Sequence, residues 1–395
     1  MTNETKNVPK LRFLEFEKSW RIITLGEATT KIGSGKTPLG GSSVYQNNGI
    51  PFLRSQNIQY GMLDLSELVY IDENIDENMK SSRTYYGDVL LNITGASIGR
   101  SAVNTIKKGY ANLNQHVCII RLKEHYNYNF IGQFLISPKG QKKVFMAQNG
   151  GSREGLNFNE IGKIKFSLPY EVEEQQKIGD FFSKLDRQIE LEEKKLTLLE
   201  QQKRGYMQKI FSQEVRFKNE NGNDYPDWEE TTLKNITNYI SSKKSSNQYY
   251  ESNNSKGYPV YDAIQEIGKD LQYDMEEPYI SILKDGAGAG RLNLRAGKSS
   301  VIGTMGYIQA NNVDIQFLYY RIKLINFRKF IIGSTIPHLY YKDYSKEKIL
   351  IPTSNDEQKK IGHFILNIDK LIDNKTLKLD YLKQRKQGLL QRMFV

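Results

Sequence analysis

Cysteine is almost absent from this chain: Cys118 is the only one in 395 residues. A lone thiol excludes an intramolecular disulfide and suits a reducing, cytoplasmic compartment. Histidine is scarce too. The four residues, His116, His125, His338 and His363, lack metal-ligand spacing, so no metal site is expected. No apolar run approaches the roughly 20 residues that span a bilayer. The mean hydropathy is −0.59, and "MTNETKNVPK" has no apolar signal core. No membrane association is expected. The G-x-S-x-G elbow and the H-E-x-x-H helix are missing, and no carboxylate pair stands out. These absences point away from a catalyst and towards a binding protein.

Negative charge is the next deficit. Lys and Arg total 56 against 45 Asp and Glu, a net charge of +11 with a pI of about 9.2. Such an excess suits a polyanion, nucleic acid first; a merely basic solvated surface is the alternative. One basic loop, "TKIGSGKTPLGG" (30–41), resembles the end of a nucleotide-binding P-loop through Gly35, Lys36 and Thr37. The full pattern, G-x-x-x-x-G-K-[ST], needs a glycine where Thr30 stands. The Lys-Thr pair should also open a helix, yet Pro38, Gly40 and Gly41 follow. An enzyme that binds nucleotide through Lys36 and Thr37 is therefore a weaker reading than a nucleic-acid-binding loop.

The chain contains itself twice. Residues 174–211, "EQQKIGDFFSKLDRQIELEEKKLTLLEQQKRGYMQKIF", align without a gap on 357–394, "EQKKIGHFILNIDKLIDNKTLKLDYLKQRKQGLLQRMF", with 16 of 38 positions identical. "KFSLP" (165–169) falls on "KILIP" (348–352), and "LRF…W" ending at Trp20 resembles "VRF…W" ending at Trp228. The chain reads as a tandem duplication, roughly 1–212 and 213–395. Each half is a globular part followed by a long helix. The boundaries are 1–170 and 213–352 for the globular parts and 171–212 and 353–395 for the helices.

Both helices carry a heptad stripe. Ile178, Phe182, Leu185, Ile189, Leu196, Leu199, Tyr206 and Ile210 follow a four-three spacing, interrupted by Glu192 and Lys203. Ile361, Ile365, Ile368, Ile372, Leu379, Leu382, Leu389 and Met393 repeat it, interrupted by Lys375 and Lys386. Such a seam wants a partner along its length. Two equal stripes in one chain favour an antiparallel pair, each rod about 57 Å long at 1.5 Å per residue. An amphipathic helix packed on its own domain is the simpler alternative, and a coiled-coil scaffold without nucleic acid is a third functional reading. The expected architecture is two globules held apart by a helical spacer, related by a pseudo-twofold.

The globular parts mix strand-like runs, "DVLLNI" (88–93), "VCIIRL" (117–122) and "PYISIL" (278–283), with helix-like runs at 129–137 and 313–324. An α+β (mixed α/β) fold follows. Polar and basic residues gather in glycine-rich loops. In the first part these are Lys31, Ser34, Lys36 and Thr37; Arg54, Gln56 and Asn57; Ser97 and Arg100 in "TGASIGR"; Asn114, Gln115 and His116; and Ser152 and Arg153. In the second they are Lys243 and Lys244; Lys284 and Arg291 around "DGAGAGR"; and Thr335, His338, Tyr340 and Lys342. Arg, Asn and Gln read base edges, whereas Lys, Ser and backbone N–H groups hold phosphates. "TGASIGR" (94–100) and "DGAGAGR" (285–291) stand at matching places, each after a strand, so both arginines are candidate DNA contacts.

The duplicated "LP…EQQKI" and "IP…DEQKKI" helix entries, with "GSGKTP", "IPFLRSQNI", "GDVLLNITGASIGR" and "LNQHV", resemble the specificity subunits of type I restriction–modification systems over essentially the whole chain. The resemblance implies two target recognition domains, each reading half of a bipartite double-stranded DNA site. It also implies an antiparallel coiled coil that spaces them and docks modification (methyltransferase) subunits, two in number. The resemblance places adenine methylation, S-adenosylmethionine, ATP, Mg and the restriction (endonuclease and translocase) subunits on partners, leaving this chain non-catalytic and without bound cofactor. Consistent with that, the chain lacks the Asp/Asn-Pro-Pro-aromatic tetrad of adenine methyltransferases. The second part departs from the pattern where "GSGKTP" becomes "YISSKKSSN" (239–247).

Overall fold

The computed structural model describes residues 7–148, 155–250 and 256–395, apart from the side chains of Gln248 and Tyr250. By contacts the chain forms two compact units, Met1–Lys195 with Thr376–Val395, and Leu196–Lys375. Both cuts fall inside the long helices.

The first unit begins with β1 (Arg21–Thr24), α1 (Leu25–Ala28), β2 (Thr29–Ser34), β3 (Ile50–Leu53), β4 (Val69–Ile71) and α2 (Glu73–Asn78). Then come β5 (Arg83–Thr84), β6 (Val89–Asn92), β7 (Ser101–Val103), β8 (Ala111–Leu113) and β9 (Val117–Leu122). Helices α3 (Tyr128–Ile136), α4 (Pro138–Met146) and α5 (Phe158–Lys163) precede β10 (Lys165–Leu168) and the long α6 (Val172–Phe211). Two four-stranded sheets form, in the orders β2-β9-β6-β7 and β4-β3-β8-β5, and β1 pairs with β10. Strand β6 reads "VLLN" and is buried at every position, with no alternation. Both its faces are covered, which a continuous apolar run anticipates. Leu90, Leu113, Val117 and Ile119 fill one core, while Trp20, Phe130, Phe134, Phe166, Ile178 and Phe182 fill the other.

The second unit repeats the plan. It comprises β11 (Trp228–Thr232), α7 (Leu233–Ile236), β12 (Thr237–Ser241), α8 (Asn247–Tyr250), β13 (Tyr258–Tyr261), β14 (Glu266–Asp270) and β15 (Tyr279–Leu283). Next come β16 (Leu292–Arg295), β17 (Ser300–Val301), β18 (Met305–Ala310), α9 (Ile315–Ile322), β19 (Ile331–Ile332), β20 (His338–Leu339) and α10 (Tyr341–Tyr344). Strand β21 (Lys348–Pro352) leads into α11 (Asn355–Met393). The sheet β12-β18-β15-β16 matches β2-β9-β6-β7, and β11 pairs with β21 as β1 does with β10. A parallel pair also recurs, β13 with β17 and β3 with β8. The strand and helix runs expected from sequence are therefore present, and the fold is mixed α and β.

The repeated "EQ" at each helix start has a structural reason. Glu174 is buried and accepts from Arg12 at 2.6 and 2.7 Å, and Glu357 is buried and accepts from Arg216 at 3.1 and 2.9 Å. A buried carboxylate needs such a bidentate partner. The neighbouring Gln175 donates to Pro169 O and accepts from Asn127 N, and Gln358 does the same with Pro352 O and Asp314 N. Asn127 and Asp314 are the N-caps of α3 and α9. The glycine of "KIG" completes the joint. A Cβ on Gly179 falls 2.5 Å from Asn127 Oδ1, and one on Gly362 falls 2.7 Å from Phe317 N. Both glycines let a cap of the globular part lie directly on the long helix.

The heptad stripe serves the helix pair and, at its ends, the globular parts as well. Ile178, Phe182, Ile361 and Ile365 are buried among the aromatic residues of their own units. There each helix packs on its own globular part and also on the end of the other long helix, as Phe182 does on Phe394 and as Ile210 joins Ile361 and Ile365. Leu185, Ile368, Leu379 and Leu382 are buried, and Ile189, Leu196, Leu199 and Ile372 are half-buried. Tyr206, expected in the stripe, is 45% exposed. Within the first unit Lys386 pairs with Asp186 and Lys378 with Glu192; within the second, Lys203 pairs with Asp369. Tyr206 also packs on Phe364 in the second unit, so in each unit the partner's number falls as the residue number rises and the helix segments run antiparallel. The charged interruptions Glu192, Lys203 and Lys386 thus lie in the seam and are neutralised there.

Candidate nucleic-acid interface

Backbone hydrogen bonds gather the loops of the first unit. Lys36 N donates to Leu113 O, Asn114 N to Leu53 O, Ile93 N to His116 O and Leu156 N to Ile93 O. A Cβ on Gly35 would lie 2.0 Å from Leu113 O, so only glycine allows β2 to run out this close to β8. Side chains join the same cluster: Asn92 Nδ2 donates to Ser55 O at 2.8 Å, and Thr94 Oγ1 lies 2.6 Å from His116 Nδ1. The loops carrying Lys36 and Thr37, Gln56, Ser97 and Arg100, and Asn114 to His116 therefore converge. Lys36, Thr37, Gln56 and Gln115 are exposed; Ser34, Ser97, Arg100, Asn114 and His116 are half-buried. Lys36 and Thr37 lie in open loop, and the next helical turn, a 3-10 turn, spans Gly41–Val44. That is not a strand–loop–helix phosphate cradle.

Three expected contacts are taken up inside the fold. Asn57 is 2% exposed, and its amide accepts from Arg54 N and donates to Asp64 O. It holds the turn and presents nothing to a ligand. Lys31 reaches across to the Ser81 carbonyl at 2.5 Å, and burial pulls its ammonium below the usual lysine range. Arg54 stacks over the Tyr45 ring at 5.5 Å and donates to Glu67 O. Ser152 and Arg153 lie outside the described residues.

The second unit builds the equivalent loop with different chemistry. Leu283 N and Gly290 N close the hairpin onto Arg291 O and Leu283 O, as Asn92 N and Gly99 N close theirs onto Arg100 O and Asn92 O. Gly286, Gly288 and Gly290 adopt φ of 100°, 90° and 93°, and Gly95 and Gly99 adopt 67° and 84°. These left-handed positions explain the glycines as backbone requirements. Leu339 N donates to Lys284 O as Leu156 N does to Ile93 O. Asp285 stands where Thr94 does. It accepts from Lys284 at 2.6 Å and lies 2.8 Å from His338 Nδ1. These two contacts outweigh burial and hold its carboxyl below the usual range. Lys284 and His338 are thus occupied by an acid that the sequence reading overlooked, although Asp285 opens the quoted motif. Lys244 is also engaged, with Asp270 at 2.7 Å and Asp274 at 3.4 Å. Lys243, Arg291, Thr335, Tyr340 and Lys342 remain exposed, and Lys342 sits 5.4 Å over the Tyr340 ring.

The first unit therefore offers exposed lysine, amide and hydroxyl groups beside a half-buried arginine, and the second exposed lysine, arginine and hydroxyl groups, on glycine-tightened loops beside a sheet. Such a surface can hold phosphates and read base edges. Among the described residues, no group of three or more His, Cys, Asp or Glu suits a metal ion. None of the helices is long and apolar enough to cross a membrane, again among the described residues.

Known proteins resemble this chain in sequence and fold. A Methanocaldococcus jannaschii protein named as the MjaX type I restriction enzyme specificity subunit is 24% identical over 416 residues, covering 98% of this chain and 95% of its own. The MjaVIII specificity subunit of the same organism is 27% identical over 200 residues, 47% of this chain and 46% of its own. The crystal structure of a type I restriction–modification S subunit from M. genitalium covers 98% of this chain and 99% of its own, with a TM-score of 0.69 at 17% identity, which is a likeness of fold. The family described as type I restriction modification DNA specificity domain matches residues 17–201 and 225–384, one stretch in each duplicated half, and the chain belongs to that family.

Proposed function

We propose that this specificity subunit reads a bipartite, asymmetric double-stranded DNA site, each recognition domain contacting one half. The long helices set the separation and dock two modification subunits, to which restriction subunits add. The observation that carries the reading is the loop cluster built twice on one backbone plan with different side chains, Thr94 in one and Asp285 in the other. Two similar frames with unlike surfaces suit two unlike half-sites. The subunit itself is non-catalytic, and its partners are DNA and the restriction–modification complex. S-adenosylmethionine, ATP and Mg belong in this proposal to the partner subunits; Lys36 and Thr37 serve the DNA surface.

The test maps adenine methylation across the genome in cells with and without this chain. The expected result is one two-part motif that disappears with the chain. Replacing residues 20–168 by the corresponding domain of another family member should change one half of that motif. Change in both halves would overturn the modular reading.

A further inference from the structure

Arg100 ends the "TGASIGR" loop, and its Nη1 donates to Gln59 Oε1 at 3.2 Å. Gln59 is itself fixed at two other atoms. Its Nε2 donates to Gln56 O at 2.8 Å, and its backbone N donates to Met62 O at 3.0 Å. The turn that carries it is tied to the strand after Arg100, because Gly61 N donates to Ser101 O at 2.8 Å. The other side of that turn rests on the helix seam. A Cβ on Gly61, whose φ is +86°, would lie 2.8 Å from Ile136 Cδ1 and 3.1 Å from Lys386 Nζ, which is paired with Asp186. The turn at 59–62 is therefore a wedge between the reading loop and a buried ion pair of the long helices. The second unit has no counterpart: Arg291 is exposed, and its guanidinium has no hydrogen-bond or ionic partner among the described residues.

We propose that Gln59 is a positioning residue for Arg100, holding its guanidinium at the loop end so that it reads one base of the first half-site. The inference rests on the reading that the 94–100 loop meets DNA. A guanidinium held by one fixed acceptor keeps its remaining donors free and loses less side-chain freedom on binding. Base readout needs the bidentate fork set in one geometry, whereas a phosphate tolerates many. Anchoring Gln59 through both its side-chain amide and its backbone serves the first need and is superfluous for the second.

The experiment is a double-mutant cycle in the full chain assembled with its modification subunits. Gln59→Ala, Arg100→Ala and the double variant are compared by DNA affinity, by base preference at every position of the methylated motif, and by melting temperature. Arg100→Ala is expected to weaken binding about ten- to a hundredfold and to relax preference at one position. Gln59→Ala is expected to relax that same position, and the double variant to be no worse than Arg100→Ala alone. If Arg100→Ala leaves preference and affinity unchanged, the DNA contact itself fails and the proposal falls with it. If Arg100→Ala relaxes the position while Gln59→Ala does not, or if the two effects add, the positioning role is overturned and the contact stands. A fall in melting temperature with base preference intact at Gln59→Ala would make Gln59 purely structural, which also overturns it.

Discussion

Lys386 lies 2.5 Å from Asp186, a pair of opposite charges in the helix seam. Asp186 also accepts from Gln133 Nε2 of α3 at 2.6 Å. The second unit repeats the arrangement with Lys203, Asp369 and Tyr320, whose hydroxyl donates to Asp369 at 2.6 Å. Burial pushes the Asp186 carboxyl up, and Lys386 and Gln133 pull against it. Removing one member of a buried pair leaves the other charge unsatisfied. Lys386→Met should therefore cost about 3 kcal/mol, towards the lower end for such pairs because Asp186 keeps some solvent contact. The double variant Asp186→Leu with Lys386→Met should recover most of that loss. Urea unfolding of both variants checks the prediction, and equal losses would contradict it.

Two glycines of α6 should respond to alanine with opposite sign. Gly205 has open space where a Cβ would sit, whereas Gly179 would place one 2.5 Å from Asn127 Oδ1. In an exposed helix, glycine is less favourable than alanine by roughly 0.5–1 kcal/mol. Gly205→Ala should raise the melting temperature; Gly179→Ala should lower it by forcing the cap of α3 away. Thermal unfolding of the two variants side by side decides the matter.

Asp270 supplies a pH dependence. The hydrogen bond from Lys244, aided by Tyr249, brings its carboxyl down to about 2 from an ordinary 3.8. A depressed carboxyl stabilises the fold above its unfolded pKa and loses that contribution as pH falls through the folded one. The stabilising effect should be complete above about pH 4 and gone near pH 2. Asp270→Asn should thus be less stable than the native chain at pH 7, and the difference should close over that window. A constant difference from pH 7 to pH 2 would disprove the assignment.

Lys36 and Arg291 are exposed, with no side-chain partner among the described residues. On the proposed reading each meets a phosphate. Lys36→Ala and Arg291→Ala should weaken all DNA sequences alike, and each should reduce the slope of log affinity against log salt by about one. Titrations at several salt concentrations with matched and mismatched duplexes measure both quantities. A change of sequence preference in Arg291→Ala would make it a base reader.

Much of this protein was legible in the sequence because duplication leaves a gapless alignment. The repeated "EQ…KIG" announced two equivalent helix entries, and the apolar runs at 88–93, 117–122 and 278–283 announced buried strands. A four-three stripe showed that the helices want partners, since periodicity records which face avoids water. It did not show which neighbour covers that face. Ile178 and Ile361 are buried in cores shared by their own globular part and the end of the other long helix, while Leu379 and Leu382 are buried outside those cores.

Only the tertiary structure sorted the candidate contacts. Lysine, arginine and asparagine in a glycine-rich loop look alike in one dimension, yet Asn57 serves a turn, Lys244 and Lys284 meet carboxylates, and Lys36 and Arg291 face solvent. The partners Asp270 and Gln59 stand 26 and 41 positions from Lys244 and Arg100. The sequence by itself determined the residue types and the repeated frame, because those follow from local pattern and alignment. The fold decided which charges are already spent, because hydrogen bonds and ion pairs depend on distances that chain separation does not encode.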